Sequence, residues 1–562
     1  MRVGIKYCGG CNPRYDRAGE VNKVLDHFRQ ADGASAEDAD NSKTVFEYAE
    51  EGGVYDVLLT VCGCVHKCAN TEPYKFNQLV GIDDGFKATE AIKELEGYRD
   101  GNEADRETEK PVDSGSPDTG MEVFNNMDWQ SYYSSRLVSA HDAVSKIEND
   151  TEVVLAHCIG EPKTLINAMI DNREQYRNVR IHHMVRLAPM DFATPGFEEN
   201  FIVDPFFGSA NSRAAMAEGR GDFTPSFFHE IPISIRKGRI GCDTALVQVS
   251  PPDKFGYVST GVAVDYTIQA IRTAKLSIAQ VNPKMPRTYG SGVIHISELD
   301  WFVEAEEDLY ELPPPKITDV ERSIGEHCAE LVEDGSTLQL GIGGIPDAVM
   351  LFLKDKKDLG IHSEMIADGT LELYKTGVIN NSMKSENKGR MTIAFLMGTR
   401  ALYDFVDENP VVEVHTVDYV NHPITISRQY KMVSINSAMQ TDLMGQINAE
   451  AIGLKQFSAV GGQVDFVRGA AMSEEGKSII AMPSVTVKKD GTKISKIVPF
   501  IDQGAPVTTS RCDAQYIVTE YGIAELKGKN LRTRARNLIA IAHPEMRDGL
   551  AEEFERRFFE KP

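Results

Sequence analysis

From Asp319 the chain reads as a helix, a strand, a glycine loop and the opening of a second helix. Helix Asp319 to Val332 leads to strand Ser336 to Leu340. That strand runs into Gly341-Ile342-Gly343-Gly344-Ile345-Pro346, which opens the next helix. Strand candidates Glu152 to Ala156, Val179 to Met184 and Thr244 to Val249 show the same alternation, with helical stretches such as Pro162 to Asp171 between them. This order builds parallel sheets covered by helices. In such sheets ligands bind beyond the carboxyl ends of the strands. The glycine loop and the segment Gly360-Ile361-His362-Ser363-Glu364-Met365 both fall at such ends.

A chain of 562 residues is too long for one core. Residues 1–85 read as a small cysteine-rich α/β module. It has a strand from Val3 to Tyr7, a helix from Ala18 to Gln30, a second helix near Thr44 to Glu51 and a strand from Tyr55 to Val61. Residues 86–125 read as an acidic linker, because Asn102 to Asp118 holds almost no large apolar side chain. Beyond it two α/β domains with parallel-rich sheets are expected, 126–315 and 316–562, joined through Leu312-Pro313-Pro314-Pro315.

At 41% hydrophobic and 26% charged, the composition is that of a soluble globular protein. No run of about 18 apolar residues is present, so no membrane span is expected. The N-terminus has no signal-peptide core, which points to the cytoplasm. A formal net charge of -24 argues against nucleic acid as a partner. It leaves room for a small phosphate-bearing ligand in a local basic pocket.

The chemistry is concentrated around Glu364. It lies between the first glycine loop and Val460-Gly461-Gly462-Gln463-Val464-Asp465-Phe466. Glycine loops let backbone N–H groups approach a ligand or a developing oxyanion. A carboxylate between two of them is a candidate nucleophile for acyl chemistry. Taken alone, Glu364 could equally be a solvated strand-end residue, and Gly341 to Gly344 a tight turn.

At these residues the chain resembles the acetyl-CoA hydrolase/transferase family of CoA-transferases. Further marks are Val433-Ser434-Ile435-Asn436-Ser437-Ala438 and Tyr516-Ile517-Val518-Thr519-Glu520-Tyr521-Gly522-Ile523-Ala524. The likeness runs from Met127 to about Phe559. It implies tandem CoA-transferase-type domains with the site between them, and Glu364 as the catalytic glutamate. His157 and Gln339 would line the site, and Gly461 and Gly462 would serve the oxyanion. Gly341, Ile342, Gly343, Gly344, Ile345, Asn436 and Lys527 would contact coenzyme A. The implied activity is CoA exchange between short-chain carboxylic acids such as 4-hydroxybutyrate, butyrate and acetate, by a ping-pong route through a glutamyl-CoA thioester. An acyl-CoA hydrolase built on the same glutamate is the alternative. The likeness also favours a homodimer or homotetramer.

The first 120 residues or so fall outside that likeness. Cys8 and Cys11 follow the first strand; Cys62, Cys64 and Cys68 follow the strand Tyr55 to Val61. If these strands are parallel neighbours, the five thiols converge. Zinc, an iron–sulfur cluster, a redox pair and plain reduced thiols in glycine turns all remain open, with His66 as a further ligand. A metal- or redox-sensing role is therefore a third functional reading. Cys158, Cys242, Cys328 and Cys512 are scattered and expected to be buried as small hydrophobes.

Overall fold

The computed structural model describes residues 128–562 apart from 188, 190 and 211. Before residue 128 it describes four strands and the helical positions Val24, His27, Ile92 and Leu95. The chain forms two compact units, Met1–Thr119 and Gly120–Pro562.

The first unit is built on a four-stranded parallel sheet. Its order is Val45–Tyr48, Arg2–Tyr7, Val54–Val61, Lys75–Ile82. Arg2–Tyr7 and Val54–Val61 are parallel neighbours, as the cysteine argument required, and Tyr7 pairs with Val61. The cysteines themselves, Cys8, Cys11, Cys62, Cys64 and Cys68, lie outside the described residues, as does His66. The helix expected near Thr44 to Glu51 is corrected to a strand over Val45–Tyr48. Three of its four residues are β-branched or aromatic, and pairing along Arg2–Tyr7 satisfies its backbone. Ile92 and Leu95 are helical, and Leu95 is buried, so ordered packing reaches into the 86–125 stretch.

The second unit carries two six-stranded sheets. The first is wholly parallel, in the order Trp301–Glu304, Leu276–Val281, Thr244–Val249, Glu152–Leu155, Val179–His183, Phe201–Pro205. Every residue of Thr244–Val249 is buried, as expected for a central strand covered on both faces. The second sheet runs Gly360–Ile361, Thr337–Leu340, Met432–Ser437, Lys477–Ala481, Tyr516–Thr519, Gly522–Glu525. Only its last pair is antiparallel.

Local chemistry sets the elements around the site. Thr318 and Glu321 form a reciprocal capping box that starts helix Asp319–Glu330. Thr337–Leu340 then leads through the glycine loop into helix Gly344–Phe352. One apolar core runs through both halves of this unit, from Val154 to Val518. The halves also share backbone bonds: Tyr289–Gly290 pairs with Val412–Val414, and the N–H groups of Val264 and Asp265 donate to the Ala394 carbonyl. Cys158, Cys242 and Cys328 are buried, but Cys512 is exposed, contrary to expectation. Among the described residues, no helix is long and apolar enough to cross a membrane.

Candidate active site

Glu364 is held by backbone on both sides. It follows the edge strand Gly360–Ile361 and directly precedes the short strand Met365–Ile366. The His362 N–H donates to the Leu338 carbonyl at 3.2 Å. The Ser363 hydroxyl donates to the Leu340 carbonyl at 3.3 Å, tying Glu364 to the residue before Gly341. On the other side, the Glu364 carbonyl accepts from the N–H groups of Ala394 and Phe395 at 3.0 and 3.2 Å. The rotation left to the nucleophile candidate is in its side chain.

That side chain meets the second glycine loop. Asn421 Nδ2 donates to Glu364 Oε2 at 2.7 Å. Gly462 lies against the same oxygen: a Cβ there would fall 1.8 Å from Oε2. Only a glycine allows this approach. Burial pushes the Glu364 carboxyl up to about 8; the charges of Asp465 and Asp265 add to the rise, while Asn421 and the Gly462 N–H oppose it.

This shift has a consequence for stability. The folded protein holds the Glu364 proton between about pH 4.5 and 8, where the unfolded chain has lost it, so stability falls as pH rises through that window. A shift of this size corresponds to roughly 4–5 kcal/mol at most, and partial exposure of the carboxyl reduces it. Glu364→Gln is therefore expected to melt close to the parent at pH 5 and several degrees above it at pH 8.5. Calorimetry at the two pH values checks this; an equal offset at both would contradict it.

His157 is buried. Its Nδ1 lies 2.9 Å from Asp265 Oδ2, and its ring packs on Phe395 at 4.4 Å between centroids. Phe395 is the residue whose N–H holds the Glu364 carbonyl. His157 Nε2 is buried with no hydrogen-bond partner among the described residues. A neutral imidazole with Nδ1–H on Asp265 would present Nε2 as an acceptor.

Gln339 and Asn436 pair with each other at the ends of adjacent parallel strands. Their amides exchange hydrogen bonds of 3.3 and 3.1 Å. Beyond them, Gly343 has φ 114°, which a side chain would strain, and the space at its Cα and that of Gly341 is open. Ile342 is exposed at the loop tip, whereas Ile345 turns into the core. A cavity of about 300 Å³ opens on this loop, lined by Pro313, Pro314, Pro315, Ile342, Gly343 and Asp347 among others. Burial raises the Asp347 carboxyl to about 6, helped by the charges of Asp368 and Glu321. Lys527 is exposed and donates to the Cys512 carbonyl at 2.8 Å.

The fold thus brings Glu364, Gly462 and Asn421 into contact, and pairs His157 with Asp265 against Phe395. Asn421 and Asp265 were not singled out from sequence. Asn421-His422-Pro423 is a turn signal, and Asp265 sits before a helix; neither announces chemistry without the fold. Among the described residues there is no cluster of three or more His, Cys, Asp or Glu suited to a metal ion.

Comparison with known proteins gives the family. The acetyl-CoA hydrolase/transferase N-terminal domain matches residues 121–312, and the corresponding C-terminal domain matches 398–554. A family of uncharacterized proteins matches residues 2–99. The 4-hydroxybutyrate coenzyme A transferase of Clostridium kluyveri is 55% identical over 432 residues, which is 77% of this chain and 100% of that protein. Succinyl-CoA:cyclohexane-1-carboxylate CoA transferase of Geobacter metallireducens is 43% identical, over 75% of this chain and 96% of its own length. The crystal structure of 4-hydroxybutyrate CoA-transferase from Porphyromonas gingivalis superposes with a TM-score of 0.64 at 41% identity, covering 76% of this chain and all of that one. The protein is an enzyme of the CoA-transferase class. Within that class, the chain belongs to the acetyl-CoA hydrolase/transferase family.

Proposed function

We propose that this enzyme moves coenzyme A between short-chain carboxylic acids through a glutamyl-CoA thioester on Glu364, with 4-hydroxybutyrate, butyrate or acetate as the acids. The observation that carries the reading is a desolvated glutamate with one oxygen held by Asn421 beside Gly462. The other carboxylate oxygen is left to attack.

The carboxylate adds to the thioester carbonyl and expels CoA thiolate, leaving a mixed anhydride. The thiolate then attacks the glutamyl carbonyl, and the first acid leaves. Glu364 now carries CoA. A second acid attacks this thioester, and the same two steps in reverse release its CoA ester. The thioester energy is conserved throughout. Each step passes through an oxyanion, which the N–H groups at Gly461 and Gly462 would hold, worth about 3 kcal/mol per donor. Binding of the CoA body at the Gly341–Ile345 loop, with Gln339 and Asn436 at its base, would draw the thioester onto Glu364. Apolar packing around the glutamate keeps water from the anhydride and favours transfer over hydrolysis.

Two measurements test the reading. With an acyl-CoA alone, the peptide bearing Glu364 should gain the mass of CoA less water, and hydroxylamine should release the CoA. With acetyl-CoA and 4-hydroxybutyrate, the new CoA ester should appear without free thiol. Free thiol without the ester would make the enzyme a hydrolase; transfer without any adduct would remove the covalent route.

A further inference from the structure

Helix Glu230–Arg236 belongs to the first half of the second unit, yet the residues that begin it grip the second half. The Phe228 N–H donates to the Gly461 carbonyl at 3.1 Å. The His229 N–H donates to Asp465 Oδ2 at 3.3 Å, and His229 Nδ1 lies 2.7 Å from Asp465 Oδ1. Asp465 stands in the first turn of helix Gln463–Met472, which Gly462 caps. Three contacts from two adjacent residues therefore fix the glycine loop that touches Glu364.

The same contact carries charge. Asp465 is 2% exposed and His229 14%, so the pair meets at the edge of the buried site. Glu364, Asp465 and Asp265 place three carboxyl groups close together. A proton on His229 offsets the charge of Asp465 there. Burial alone would lower the His229 imidazole, but the hydrogen bond and charge of Asp465 outweigh it and hold it above its ordinary value. Glu230 and Asp418 add to that rise. The neighbouring His422 ring, 5.3 Å away between centroids, is lowered by its own burial and then by the charge of His229. Asp465 thus favours the protonated form of His229.

We propose that His229 is a positioning residue for CoA transfer: through Asp465 it seats the Gly461–Gly462 loop on Glu364, and its positive charge offsets the carboxylate beside the nucleophile. The inference rests on Glu364 being the attacking group. It adds a role for the first half of the unit that neither glycine loop supplies.

The test is the pH profile of kcat/KM for acyl-CoA in three variants, alongside Glu364→Gln. His229→Ala should lower kcat about 10- to 100-fold with little change in KM. It should also move the inflection of the profile up by about one pH unit, because Asp465 is left uncompensated. His229→Asn returns a side-chain N–H without the charge. It should recover most of kcat above the inflection but leave the inflection displaced. Asp465→Asn removes the like charge and should move the inflection down. Opposite displacements in His229→Ala and Asp465→Asn would establish the electrostatic role, which mere loss of packing would not produce. An unmoved inflection in all three, or movement in one direction, would overturn it. If Glu364→Gln stayed active, the nucleophile reading itself would fail, and the two failures are distinct.

Discussion

Glu364→Gln is expected to slow CoA exchange by at least about 10⁴-fold while leaving acyl-CoA affinity within about threefold. Glutamine is nearly isosteric, and its single carbonyl oxygen can occupy the Oε2 position. It would keep the Asn421 hydrogen bond of 2.7 Å and the approach of Gly462. What it lacks is a nucleophilic oxygen, so the loss falls on kcat rather than binding. Glu364→Asp keeps the charge but draws the carboxylate back by one methylene. A displacement of that size is expected to cost about 10²-fold. The parent enzyme should also report the state of the carboxyl. With Glu364 raised to about 8, only its ionised form can attack. Below that pH, kcat/KM for acyl-CoA should fall about tenfold per unit, and above it should level off. A flat profile between pH 6 and 9 would mean that substrate-free Glu364 is already ionised. Retention of even a few per cent of the rate in Glu364→Gln would mean that another group forms the covalent link.

The sequence conveyed the sheets and the loops because their signals are local. Thr337–Leu340, the glycine loop and helix Gly344–Phe352 follow from periodicity and punctuation within a few residues of one another. Glu364, Gly461 and Gly462 stand out in the sequence only through their flanking blocks, and in the structure Gly462 lies against Glu364. Asn421, Asp265, His229 and Asp465 were not legible as site groups. Asn421 closes the short helix Val417–Val420, and Asp265 precedes helix Thr267–Thr273. His229 and Asp465 are 236 residues apart and meet only when the halves of the unit pack. Convergence of this kind leaves no periodic trace. The strand Val45–Tyr48 reads as helix in sequence because Glu47 within it and Lys43, Ala49 and Glu50 beside it favour helix, whereas its partner strand lies about forty residues away. Lys527, implied as a coenzyme A contact by the resemblance, is exposed and bonded to the Cys512 carbonyl.

Gly462→Ala is expected to lower kcat about 10²- to 10³-fold while costing at most about 1–3 kcal/mol of stability. The backbone at Gly462, with φ −91° and ψ 2°, suits alanine, so no strain arises from the dihedral angles. The cost is steric and local. The new methyl group would lie 1.8 Å from Glu364 Oε2 and 2.4 Å from Asn421 Nδ2. Either the carboxylate or the loop must move by more than an ångström. Because the Glu364 backbone is held by Ala394 and Phe395, the carboxylate side chain and the glycine loop take up the displacement. Both movements separate the nucleophile from the N–H groups proposed to hold the oxyanion. A double-mutant cycle isolates the cause. In the Glu364→Gln background, Gly462→Ala should subtract almost nothing further from the residual rate, because both changes act through one carboxylate. Independent, multiplicative losses would show that Gly462 serves the reaction by a route that does not pass through Glu364.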